Sequence, residues 1–112
     1  MAYNEFLADR IRRFFSDQKV PTKEQKMMGG LCFMVDDKMC CGVVGDEFMG
    51  RIGEASERDM QDLEGCRPMD FAGKRMRGYV FVSAEGVDNE DDLDQWLEAC
   101  LDFNPRAESS KI

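Results

Sequence analysis

The stretch that decides the fold runs from residue 26 to residue 53: KMMGGLCFMVDDKMCCGVVGDEFMGRIG. Residues 31–35 and 39–44 are near-continuous apolar runs on either side of the polar triplet Asp36-Asp37-Lys38. Short apolar runs bounded by turn residues read as buried strands. Gly45-Asp46 is a hairpin turn into a further strand at 48–52, and Gly29-Gly30 joins a short strand near 26–28 to the first run. Turns this short impose antiparallel pairing, since parallel neighbours need a crossover of a dozen residues or more. Glycine doublets also serve phosphate loops, but this one lacks the following Lys-Ser/Thr and the dinucleotide-binding spacing. Gly42 and Gly50 sit inside strand patterns, where glycine marks a bulge or a close backbone approach.

Helical patterns flank this meander. Asn4 caps a helix over 5–17, with Tyr3, Leu7, Ile11 and Phe14 at helical spacing and Phe6 and Phe15 widening the stripe. Ser56 caps a short helix over 57–64 with Met60 and Leu63 inward, and Gly65 stops it. Residues 67–71 and 76–83 form a second hairpin around Ala72-Gly73-Lys74. Asn89 caps a last helix over 90–103, whose first turn is acidic as the helix dipole favours. Leu93, Trp96, Leu97, Cys100 and Leu101 are its apolar stripe. The order is α-β-β-β-α-β-β-α: an α+β, two-layer sandwich with a mainly antiparallel sheet of about five strands and about three helices. One domain over 1–104 and a polar tail over 105–112 follow.

The 112 residues include no His, 23 acidic and 15 basic side chains, for a net charge of −8. Without imidazole there is no Ser-His or Cys-His nucleophile pair, so an enzyme is not expected. No run approaches the roughly 20 apolar residues of a membrane span. Arg10, Arg12 and Arg13 interrupt the only early apolar segment, so a secretory leader is not expected and the location reads as cytoplasmic. Cys32, Cys40, Cys41, Cys66 and Cys100 are odd in number and include no CxxC; no metal, no cofactor and no disulfide framework are expected. Adjacent strand residues point to opposite faces, so the Cys40 and Cys41 thiols should diverge. Cys66, between Gly65 and Arg67, is the candidate reactive thiol, exposed and slightly activated by a cation, and with it a small-molecule or thiol sensor is an alternative function. Nine methionines are many for this length, and most are assigned to irregular core gaps.

Charge is uneven. Residues 84–112 carry a net −7 and residues 1–83 only −1, while residues 67–83 carry +3. The candidate interaction surface is Lys26, Arg51, Arg67, Lys74, Arg75 and Arg77. It would meet a protein partner or, alternatively, DNA phosphates.

Three stretches carry a family resemblance: residues 26–34, residues 39–46 continuing to Met49, Arg51 and Gly53, and residues 67–74 followed by Met76, Gly78, Tyr79, Val80 and Val82. Together they resemble the N-terminal domain of the TfoX/Sxy family of bacterial competence regulators, across residues 3–103. The family pattern has Phe after the Lys-Met pair, where this chain has Met28. The resemblance implies a compact α/β domain, a bacterial cytoplasmic setting and a non-enzymatic transcription co-regulator that works through protein contacts. Full-length regulators carry a second, helical domain, so a chain ending at Ile112 is expected to be a stand-alone copy. The implied partner is a transcription factor or a separate protein holding that second domain. A homodimer is a further expectation wherever a sheet edge stays open.

Overall fold

The computed structural model describes residues 3–27, 29–71 and 73–107. Helix α1 (Glu5–Asp17) leads into β1 (Lys23–Met27), β2 (Gly30–Val35), β3 (Lys38–Val44) and β4 (Glu47–Arg51). Helix α2 (Glu54–Met60), β5 (Cys66–Phe71), β6 (Lys74–Val82), α3 (Ala84–Val87) and α4 (Glu90–Phe103) follow, and a single 3-10 turn (Asn104–Arg106) comes after them. The fold is the α+β arrangement expected from the meander: one antiparallel sheet in the order β1-β2-β3-β4-β6-β5. The chain leaves β4 through α2, lays β5 on the outer edge and returns with β6 beside β4.

The sheet has six strands rather than about five. The extra length is β1, whose Lys-Glu-Gln-Lys run is exposed and shows no apolar alternation. Only its pairing, Lys23 opposite Met34 through Met27 opposite Gly30, makes it a full strand. Asp36 and Asp37 both adopt positive φ, 55° and 62°, which is the twist a tight hairpin requires and which Asp tolerates better than bulkier side chains.

Helices α1 and α4 cover one face. Leu7, Ile11, Phe14 and Phe15 of α1 and Leu93, Trp96, Leu97 and Cys100 of α4 pack on Phe33, Val43, Phe48, Val80 and Val82. The Asn4 side chain caps α1 by accepting from Leu7 N at 3.1 Å. Phe6 does not join the stripe and is 74% exposed. It shares a helix face with Arg10 and Arg13, four and seven residues on, beside the buried stripe rather than in it. Helix α2 begins at Glu54, three residues before the expected start, with Gly53 rather than Ser56 at its cap. It ends before Leu63, which lies largely outside the core at 38% exposure.

The opposite face has its own buried cluster: Cys32, Met34, Met39, Met49, Met69 and Phe81. Each of these comes from a strand, as do the half-buried Met27, Val44, Met76 and Tyr79 around them.

Candidate functional site

One irregularity shapes the region around β4, β6 and β5. In β6 the pairing with β5 jumps from Pro68 opposite Val80 to Met69 opposite Met76, so residues 77–79 have no partner on β5, while Tyr79 stays paired with Arg51 of β4. Gly78 sits at the bulge with φ +83°, and a Cβ there would lie 3.1 Å from the Gly53 backbone. The close approach is used: Gly78 C=O accepts from the N–H of Ile52 at 2.9 Å and of Gly53 at 3.0 Å. Glu57 of α2, only 6% exposed, secures the bulge from the other side. Its carboxylate accepts from Gly78 N at 2.9 Å and from the Arg75 guanidinium. A buried carboxylate must have such partners, and here they tie α2 to β6.

The candidate basic residues separate in space. Lys26 lies on β1, at the opposite edge of the sheet from the β5–β6 hairpin. Arg75 is bound by Glu57, and Arg77 lies 3.9 Å from Glu54. Arg67 makes two bonds to Glu47, at 3.2 and 2.5 Å, and lays its guanidinium 4.6 Å from the centre of the Phe81 ring. Arg51 lies 5.4 Å from the Tyr79 ring and 6.0 Å from that of Phe103. Lys74 is exposed at the hairpin tip. The adjoining Ala72 and the candidate motif residue Met28 lie outside the described residues. The expected basic tip is therefore largely neutralised by Glu47, Glu54 and Glu57, three acids that the sequence leaves far away. What remains is a surface of arginines fixed on rings and carboxylates, with the Arg67 side chain still 53% exposed.

The thiols also depart from expectation. Between β2 and β3 the register passes from Phe33 opposite Cys41 to Met34 opposite Met39, leaving Cys40 as an extra residue. This bulge breaks the alternation and turns Cys40 and Cys41 into the same helix-side core. Gly50, the cross-strand partner of Cys41, leaves room for Cys100 of α4, whose Sγ would lie 3.0 Å from a Cβ at that position. Three buried sulfurs thus meet between β3 and α4. Hydrogen bonds from the Cys100 and Cys41 thiols hold the Cys40 thiol below its ordinary value, and the Arg51 charge adds to them. Burial pushes Cys41 and Cys100 well up. Cys66 is half-buried, and burial, with Glu57 and Asp62 nearby, raises its thiol too. The neighbouring Arg67 turns to Glu47 and Phe81. Among the described residues, no group of three or more Cys, Asp and Glu is placed to hold a metal ion.

A groove of about 220 Å³ lies between α1 and α4 over Phe14 and Leu93, rimmed by Arg10, Arg13, Asp17, Glu90, Asp94 and Glu98. Burial, reinforced by Glu90, Glu98 and Asp91, raises the Asp94 carboxyl. No helix among the described residues is long and apolar enough to cross a membrane.

The domain is α+β, with α1 and α4 on one sheet face and an arginine-aromatic-carboxylate surface at β4, β6 and β5. The family follows from comparison: the model of the TfoX N-terminal domain matches residues 14–104, and the chain belongs to that family. No curated protein and no solved structure matches it significantly.

Proposed function

We propose that this domain is a non-enzymatic regulatory module that acts by binding another protein through the surface around Arg67. Its membership of the TfoX N-terminal domain family supports a regulatory role. The observation that carries the protein-contact reading is Arg67 itself, stacked 4.6 Å from the Phe81 ring and paired with Glu47 while half exposed. Arginine and aromatic side chains are enriched in protein–protein interfaces, and an arginine already fixed in place loses little entropy on binding. Phosphate binding draws instead on uncompensated cations, and Arg67, Arg75 and Arg77 each have a carboxylate partner. Transcription control in a bacterial cytoplasm is the setting this reading assigns. In a salt titration with duplex DNA, the expected result is no measurable association at low salt. Tight binding that falls steeply as salt rises would replace the protein-contact reading with direct phosphate recognition.

A further inference from the structure

The two edges of the sheet are finished differently. Edge strand β5 carries Pro68, which has no N–H to offer a neighbour. Edge strand β1 has no proline, and its first four side chains are exposed. Its only strand partner among the described residues is β2, so its outer row of N–H and C=O groups is free to pair.

The sequence of β1, Lys23-Glu24-Gln25-Lys26-Met27, sets Glu24 against Lys26 when it is paired with its own reverse. We propose that two copies of this chain join β1 to β1 in antiparallel register about a two-fold axis at Gln25. That register places Glu24 of each copy opposite Lys26 of the other and Gln25 opposite its own counterpart. Directly opposite residues share a sheet face, and opposite charges there are favourable. The interface is isologous, the form that closes a dimer rather than a fibre.

The neighbouring residues extend the match. Glu24 is cross-strand to Phe33, and Lys26 to Leu31, so both lie on the helix-covered face. Arg12 holds Glu24 through bonds of 2.6 and 2.8 Å, which fixes the carboxylate where the second copy's Lys26 would arrive. On the other face, Lys23 of one copy meets Met27 of the second. Met27 lies beside the sulfur-rich cluster, so the two clusters would flank one continuous sheet. This surface lies at the edge opposite β5, so it neither requires nor blocks the contact proposed around Arg67.

The test uses charge reversal at two exposed positions. Sedimentation of the wild-type chain over a concentration series should reveal a species of twice the 12.8 kDa monomer mass. Lys26→Glu and Glu24→Lys should each weaken self-association about tenfold or more, because like charges then face each other. An equimolar mixture of the two variants should recover the dimer. The Lys26→Glu chain is acidic at both positions and the Glu24→Lys chain basic at both, so every facing pair in the mixed dimer is opposite in charge. Circular dichroism checks that both variants stay folded. A wild-type chain that remains monomeric at its highest soluble concentration would overturn the proposal, whether or not another protein uses the edge. So would a dimer that neither reversal weakens, or variants that stay apart when mixed.

Discussion

The two faces of the sheet are built from different materials. The helix-covered face is filled by Trp96, four buried phenylalanines and branched aliphatic residues, in register with the stripes of α1 and α4. The other face takes every member of its buried cluster from the strands, and five of the six carry sulfur. A helix stripe has a regular period, so rigid side chains can fit it. The other face draws its cluster from strands alone, and the register jump at 77–79 interrupts their alternation. Unbranched methionines, with three rotatable bonds, fill the irregular space there.

The largest loss should come from the helix-covered face. Trp96→Ala removes the largest fully buried side chain and is expected to cost about 3–5 kcal/mol, read from the urea midpoint. A loss under about 1 kcal/mol would mean that α4 is not anchored as described. Next, Met49→Ala on the other face should cost about 2–4 kcal/mol. Met49→Leu sharpens the comparison: an adaptable methionine cluster should tolerate it within about 1.5 kcal/mol. If Leu costs as much as Ala, the methionine face is as tightly specified as the tryptophan face.

Glu57→Gln comes third, at roughly 2 kcal/mol, because it weakens the carboxylate hold on Gly78 and Arg75. It should also raise hydrogen exchange at Ile52 and Gly53, whose amides bond the bulge carbonyl. Unchanged exchange there would remove Glu57 as the pin. The smallest effect belongs to the rim. The hydrogen bond from Arg12 holds the Glu24 carboxyl below its ordinary value, against some burial. A lowered carboxyl contributes stability above its unfolded value, and the contribution is lost as pH falls through the folded one. Glu24→Gln should therefore cost at most about 1 kcal/mol near neutrality. The gap from wild type should close at acid pH, and a gap that widens there would reverse the sign.

Much of this plan is legible in the sequence. The turn residues Asp36-Asp37 and Gly45-Asp46 fix the meander, and Asn4 and Asn89 mark the starts of α1 and α4. The strand β1 is legible only at its end, near 26–28, because the exposed run before it has no apolar pattern to read. The gathering of Cys40, Cys41 and Cys100 is not legible, since a single bulged residue reverses the face that alternation assigns. The candidate surface is legible by residue type alone. The sequence identifies Arg67, Arg75 and Arg77 as cationic, but Glu47, Glu54 and Glu57 meet them only through the β4–α2–β6 arrangement. A glycine at position 78 is the one local signal for the bulge that brings Glu57 into place.

The most direct test of the protein-contact reading is cross-linking in the native cell. A photo-reactive residue in place of the exposed Asp70, on the same strand as Arg67, should trap a discrete protein. The same residue in place of the exposed Gln95 on α4 should not, and Arg67→Glu should abolish the Asp70 adduct. An adduct with nucleic acid, no adduct at all, or a protein adduct indifferent to Arg67→Glu would contradict it.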